Sequence, residues 1–241
     1  MDEELRIERL TWPEVESAIR NGRRRAIIVA AAMEQHGPHL VEATDALLGE
    51  ALGQALARRL GDALVAPVIR PGCSDHHLGF AGTISISPDL LIGLLDAYVA
   101  SLRKHGFTSF FVFSSHGGNY PVLERWTPAE PDGVTILTDA DGFLGAMLGG
   151  LRRFGRDDAT IPHADASETA EMLALHPDLV RSELVATGFV GELSLQHVVK
   201  IGLRAITASG VLGNPVGATA EMGRGVIDSV VDFLFKAADA H

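Results

Sequence analysis

Apolar positions follow two alternating rhythms along this chain. Arg25–Ala32 (RAIIVAAA) is almost continuously apolar, the pattern of a strand buried on both faces. Leu48, Leu52, Leu56 and Leu60 then form a one-sided stripe. That stripe predicts a helix from Thr44, a residue suited to cap it, to about Leu60. Ala63–Val68 is a second short apolar run. Ser87-Pro88 marks another helix start, a capping residue followed by proline at the first helical position. Leu91, Leu94, Leu95, Tyr98 and Leu102 give that helix its inward face, and Gly106 ends it. Phe107–Ser115 and Val134–Thr138 read as further strands, with a helix between about Ala140 and Phe154. Another helix starts near Ser167, where Ser167 is the expected cap and Glu168 the first helical position. A last helix runs from about Ala218 to Ala238, with Val226, Val230 and Leu234 inward. Strands alternating with helices predict an α/β fold with a mostly parallel central sheet covered on both faces. No internal repeat, low-complexity tract or Pro/Ser-rich linker interrupts the pattern, so residues 1–241 read as one domain. The length of the last helix suggests a surface for a neighbouring subunit.

Composition narrows the function classes. Hydrophobic residues make up 46% of the chain and charged residues 21%, enough for a sizeable core. The formal net charge of −11 argues against a nucleic-acid partner, which calls for a basic patch. Arg20-Asn21-Gly22-Arg23-Arg24-Arg25 is basic but short, and reads as a solvated turn leading into the first strand. Cys73 is the only cysteine, so no intrachain disulfide forms and a reducing, cytoplasmic setting fits. The opening MDEELRIERL has no apolar core of a signal peptide, and no apolar run approaches a membrane span.

The chemistry gathers where apolar runs end. Met33-Glu34-Gln35-His36-Gly37-Pro38-His39 follows the first strand, with Thr44-Asp45 close behind. Ser114-Ser115-His116-Gly117-Gly118-Asn119 follows a later one. Open parallel sheets place ligands beyond the carboxyl ends of their strands. Glu34 and His36 are two apart and in extended backbone point the same way. Asp45 in the first helical turn reads by itself as a favourable partner of the helix dipole. Beside Glu34 and His36 it also reads as a bridging carboxylate, because its two oxygens can hold two cations. His116 completes a set of hydrolytic metal ligands, and Gly117-Gly118 lets the backbone turn sharply there. A phosphate loop is the competing reading of that glycine pair, but it lacks the Lys and Ser/Thr of a P-loop. His39 reads as loop structure or as support for His36. Gly72-Cys73-Ser74-Asp75-His76-His77 can reach the same end of the sheet, with Cys73 read as a small packed residue. Ile161-Pro162-His163-Ala164-Asp165-Ala166-Ser167-Glu168 is the last polar cluster. There Glu168 is a candidate fifth ligand and His163 a proton shuttle, since an imidazole titrates near neutrality.

These residues together resemble the creatininase (creatinine amidohydrolase) family. The resemblance spans most of the chain. It includes Leu10-Thr11-Trp12, Glu34-Gln35-His36-Gly37-Pro38-His39, Thr44-Asp45, Phe80-Ala81-Gly82-Thr83, His116-Gly117-Gly118-Asn119, His163 with Glu168-Thr169, and Gly210-Val211-Leu212-Gly213-Asn214-Pro215. It implies a three-layer α/β/α sandwich, commonly assembled as a homo-oligomer, in creatininases a hexamer. It also implies two divalent ions (Zn, Mn or Fe) and hydrolysis of a C–N amide bond other than a peptide bond in a small-molecule substrate. Carried over by position, Glu34, Asp45 and His116 hold one metal, and His36 and Asp45 the other, with Glu168 as the remaining ligand. Two metals lower the pKa of a bridging water. His163 or Glu168 then protonates the leaving nitrogen, while Ser74, His77 and Asn119 position substrate.

The chain departs from creatininase at named positions. Gly118 stands where creatininase has a glutamate, Asp165-Ala166 where many members have Gly-Glu, Ala81 where Pro is usual and Ala170 where Ser is usual. Creatininase surrounds its ring with later tryptophans, whereas Trp12 and Trp126 are the only tryptophans here and neither immediately precedes His163. Each lost aromatic contact weakens binding of a flat ring by about 1 kcal/mol. Formamides, lactams and peptide-derived amides of cofactor biosynthesis are the other substrate classes the resemblance allows. A non-catalytic metal- or ligand-binding protein on the same fold is the alternative from another class.

Overall fold

A computed structural model describes residues 3–156 and 163–239, so Ile161 and Pro162 of the last polar cluster lie outside the described residues. Its centre is a four-stranded sheet of β1 (Arg25–Ala30), β2 (Ala63–Val65), β3 (Ser109–Ser114) and β4 (Val134–Ile136), in the order β2-β1-β3-β4. Every pairing is parallel, and the register sets Ala30 opposite Ser114. Ile27, Ile28, Val29, Phe110, Phe111 and Phe113 are buried in the main core, as the unbroken apolar runs predicted.

The strands are shorter than their apolar runs for identifiable reasons. Beyond Ala30 the backbone is captured by a side chain, with the Asn119 amide donating to the carbonyls of Ala30 and Ala31 at 3.3 and 3.0 Å. Beyond Val65, Pro67 cannot donate to a ladder, and the chain keeps only scattered bonds to β1, such as Ile69 N–H to Val29 O at 3.0 Å. Before Ser109, the N–H groups of Thr108 and Ser109 both turn to the Arg24 carbonyl.

Helices α1 (Trp12–Arg20), α2 (Thr44–Leu60), α3 (Pro88–Lys104) and α4 (Tyr120–Arg125) belong to the first half. Helices α5 (Ala140–Arg152), α6 (Ala166–Leu175), α7 (Leu195–Ile201) and α8 (Ala220–Asp239) follow. The pattern reading did not assign α1, α4 or α7, each too short for a sustained apolar stripe. The connection β1-α2-β2 steps one way along the sheet and β2-α3-β3 steps the other. Right-handed crossovers therefore put α2 and α3 on opposite faces, giving the expected α/β/α layering.

Ser87 caps α3, its Oγ accepting from Leu90 N–H at 3.3 Å. Two other expected caps are corrected. Thr44 is the first residue of α2 and its hydroxyl donates to the Val41 carbonyl at 2.6 Å, which leaves Ala43 at the cap position. In α6 the cap is Asp165, whose carboxylate accepts from the N–H groups of Ser167 and Glu168 at 2.9 and 3.4 Å. Ser167 follows inside the helix and donates its hydroxyl to the same carboxylate.

Helix α8 presses Val226, Val230 and Leu234 into the core of its own chain against α5 and α6. The approach is close, since a Cβ on Gly223 would stand 2.0 Å from the Ala170 carbonyl oxygen. The stripe predicted to face inward thus does so, within its own chain. The basic turn is more than solvated, because Arg23 pairs with Glu3 at 2.5 Å and Arg25 with Asp62 at 3.2 Å. Among the described residues no helix is long and apolar enough to cross a membrane.

Candidate metal centre

The sheet reverses its winding between β1 and β3. The loops leaving the carboxyl ends of these neighbours therefore diverge around one crevice, the usual ligand site of such sheets. The β1 loop carries Glu34 and His36, the β3 loop carries His116, and the first turn of α2 brings Asp45 beneath them. All four are buried, Glu34 to 1% exposure and His36 to 0%.

Their ligand atoms converge. His116 Nδ1 lies 3.2 Å from Glu34 Oε1 and 3.3 Å from Asp45 Oδ2. His36 Nε2 lies 3.3 Å from Asp45 Oδ1 and 3.8 Å from Glu168 Oε2. Asp45 thus offers one oxygen to each imidazole. Glu34, His36 and Asp45 form a triad whose ligand atoms lie within 4.8 Å of one another, and so do His36, His163 and Glu168, and Glu34, His77 and His163.

The imidazoles are oriented from behind. His36 Nδ1 lies 2.9 Å from the Glu34 carbonyl, His116 Nε2 lies 3.2 Å from the Cys73 carbonyl, and His163 Nε2 lies 2.8 Å from the Gln35 carbonyl. A carbonyl can only accept, so it fixes the proton on that nitrogen and turns the other, with its lone pair, to the centre. Metal-binding histidines are held in this way. Glu34 Oε2, His36 Nε2 and Asp45 Oδ2 are buried without a hydrogen-bond partner. Buried polar atoms seldom remain so, and a cation among them satisfies all three. The donor set therefore fits divalent metal.

The electrostatics agree. Burial opposes a charge on His36, yet the carboxylates of Asp45 and Glu168 hold its pKa up at about 10. Burial likewise opposes a charge on His116, and Glu34 and Asp45 raise its pKa well above normal. The cavity demands positive charge, and protons supply it when no cation does. Glu168 behaves differently: burial above all, and then the charges of Asp45 and Asp165, push it up to about 8 against the pull of His36. Burial, followed by the charge on His36, depresses His163 to about 3, so this imidazole is neutral at pH 7.

Other predicted residues take distinct places. His77 Nε2 lies 3.4 Å from Glu34 Oε1, and His76 stacks on His116 with ring centroids 5.8 Å apart. Ser74 is fully buried and its Oγ lies 3.4 Å from His116 Nε2, behind the imidazole. Asn119 is fully buried. Its amide nitrogen donates to the Ala30 and Ala31 carbonyls and its oxygen accepts from Cys73 N–H at 2.9 Å, so it locks three loops together. His39 is buried, with Nε2 2.9 Å from Thr169 Oγ1. Cys73 is a half-buried free thiol whose carbonyl, rather than its sulfur, serves the site.

Gly118 offers no ligand, and the geometry explains the missing side chain. A Cβ there would stand 2.4 Å from both the Cys73 carbonyl oxygen and His116 Nε2. On the His36 side the nearby carboxylate is that of Glu168. Ala164 helps to hold it: in the left-handed region at φ 52°, it turns its N–H onto Glu168 Oε2 at 2.5 Å. That backbone costs a residue with a Cβ about 1 kcal/mol.

Gln35 is the residue the sequence reading missed. Its amide nitrogen lies 3.0 Å from His77 Nδ1 and 2.8 Å from His163 Nε2, and its oxygen accepts from Gly37 N–H at 2.9 Å. The available signal was its place between Glu34 and His36, in a loop too irregular for strict alternation. A cavity of about 80 Å³ opens on the cluster, walled by His76, His77 and His163 and, on its apolar side, by Val198, Leu203 and Leu212. Among the described residues no tryptophan lines it: Trp12 is 77% exposed, and Trp126 is buried with Nε1 3.1 Å from Asp96.

Comparison with known proteins places this arrangement. The family model described as Creatininase, creatinine amidohydrolase, matches residues 8–238. A mycofactocin precursor peptide peptidase of Mycobacterium ulcerans is 33% identical over 232 residues, covering 92% of this chain and 83% of its own. A creatinine amidohydrolase of Pseudomonas putida is 25% identical over 266 residues, covering 98% and 97%. The solved structure of a creatininase mutant of Zn-Zn type superposes with a TM-score of 0.77 at 27% identity, covering 98% of this chain and 97% of that one.

Proposed function

This chain belongs to the creatininase family, and on that premise we propose that it is a metal-dependent amidohydrolase that opens a C–N amide bond in a small, peptide-derived substrate. The observation that carries the reading is the convergence of Glu34, His36, Asp45 and His116, with Glu34 Oε2, His36 Nε2 and Asp45 Oδ2 buried and unpartnered.

Two divalent ions fit the donor chemistry, Glu34, Asp45 and His116 holding one and His36, Asp45 and Glu168 the other, with carboxylate and imidazole suiting Zn, Mn or Fe. Bound there, they supply an acidified water and polarise the substrate carbonyl. The protein's own residues do the rest. Asp45 spans the two positions with its two oxygens. The carbonyls of Glu34 and Cys73 keep His36 and His116 in the ligating tautomer. His163 is neutral at pH 7, and its Nδ1 lies 3.9 Å from Glu34 Oε1, which makes it the side chain at the cluster free to carry a proton toward the departing nitrogen. Glu168 is protonated near neutrality in the metal-free site and would give up that proton on binding the second ion, where it serves as ligand rather than donor. His77 directs Nε2 at the same pocket and positions substrate.

The walls favour an aliphatic or peptide-like substrate over a flat ring. Val198, Leu203 and Leu212 present apolar surface without an aromatic face for stacking. The relatives named for a precursor-peptide peptidase point the same way.

The test is metal analysis combined with a hydrolysis screen of the Zn- or Mn-loaded protein against small peptides, formamides, lactams and creatinine. About two equivalents of metal per chain are expected, with turnover of at least one amide that Asp45→Ala abolishes. A wild-type protein that takes up no metal and cleaves nothing in the panel overturns the proposal.

A further inference from the structure

A second cavity, of about 230 Å³, adjoins the first, and the two share the walls formed by His76 and Gly118. The missing side chain at 118 thus sits where the cavities meet. Beyond it the walls change character. Ile86, Pro88, Pro121, Val122 and Val199 give apolar surface, and Arg125 and Asp75 provide a cation and an anion on the same lining.

Among the described residues the Arg125 guanidinium pairs with Asp89, at 3.5 Å, and the Asp89 side chain is 96% exposed. Pairs of this kind are weak and exchange readily. Asp75 is tied at one oxygen by Ser85 Oγ at 2.5 Å, which fixes its direction. An apolar trough with a displaceable guanidinium and a fixed carboxylate complements an extended amide chain. Its side groups meet the apolar wall, its N–H faces Asp75 and its terminal carboxylate meets Arg125, the fork-shaped donor best matched to a carboxylate.

We propose that this second cavity is a subsite for the carboxylate-terminated arm of a peptide-like substrate, with Arg125 as the residue that selects it. The inference rests on the amidohydrolase reading above and deepens it: the pocket at the cluster holds the scissile amide, and the adjoining trough reads the acid at the end of the chain. A compact ring such as a lactam leaves the trough empty.

Hydroxamates test it, because their head group chelates divalent metal while the tail is varied. The Mn-loaded protein is titrated calorimetrically with acetohydroxamate, with ω-carboxyalkyl hydroxamates of increasing chain length, and with their methyl esters. At one matching length the acid binds about tenfold more tightly than its ester, the ordinary worth of a charge-assisted contact. Arg125→Ala removes that ratio, and Arg125→Glu transfers the preference to ω-aminoalkyl hydroxamates. If acetohydroxamate binds but no acid outperforms its ester, or the ratio survives in Arg125→Ala, the subsite is wrong while the metal centre stands. If acetohydroxamate itself fails to bind, the metal reading falls and the subsite with it.

Discussion

Gly118 and His116 are packed so closely that a single methyl group on the first would stand 2.4 Å from Nε2 of the second. The same methyl would meet the Cys73 carbonyl, the acceptor that orients His116. One turn of backbone therefore controls both the tautomer and the position of the His116 imidazole. Gly118→Ala should move the imidazole without unfolding the protein, since the neighbouring core is untouched. The expected loss is about 10- to 100-fold in metal affinity, the usual cost of disturbing what supports a ligand. Competition against a fluorescent chelator reads it, and unchanged affinity would show that His116 takes no part.

Asp45 carries the heaviest load in the cluster. Its two oxygens face His36 and His116 at 3.3 Å each, and the charges of these imidazoles hold its pKa below normal although burial opposes ionisation. Asp45→Asn keeps the shape and removes the charge. Bound metal should fall from about two equivalents to below one, and kcat/KM by roughly a thousandfold or more, given several kcal/mol per metal-stabilised charge. Metal content and activity are measured on the same preparation, so a variant that keeps both metals refutes the bridging role.

Metal removal should be visible in stability and in protons. A ligand at 100 times its dissociation constant adds about 2.7 kcal/mol, which for a domain of this size raises Tm by roughly 5 °C. EDTA should reverse the shift. Binding must also expel the proton that Asp45 and Glu168 hold on His36, whose metal-free pKa is about 10. At pH 7 the titration should therefore release protons, giving apparent enthalpies that differ between buffers of unlike ionisation enthalpy. Identical enthalpies in both buffers would contradict the protonated, metal-free cluster.

What could be read from the sequence follows from how local each signal was. Glu34, His36 and His116 stand out because each directly follows a strand buried on both faces, where the chain has just reached the end of a parallel sheet. Asp45 was legible by its place in the first turn of a strongly striped helix. Asn119 was not, because its partners, the carbonyls of Ala30 and Ala31, are brought to it only by the pairing of β1 with β3. The Asp165 cap was obscured by Ser167, an equally good capping type two residues on, and only the αL turn at Ala164 decides between them. Gln35 was hidden by an alternation rule that holds in strands and fails in the loop where it lies.

Glu171 provides a prediction that needs no metal. It lies on α6 with 1% exposure, and its Oε2 has no hydrogen-bond partner. Burial chiefly, and then the charges of Glu168 and Asp165, raise its pKa well above the ordinary carboxylate value, so the folded protein keeps this proton where the unfolded chain has lost it. The folded state then binds more protons above the unfolded pKa near 4.5, and linkage makes stability fall as pH rises from there toward the raised value. Glu171→Gln keeps the size and cannot ionise. Its urea midpoint should match wild type near pH 4 and exceed it at pH 8. The difference should grow steadily between those limits, and a variant that tracks wild type across the whole range would place the Glu171 pKa back among ordinary carboxylates.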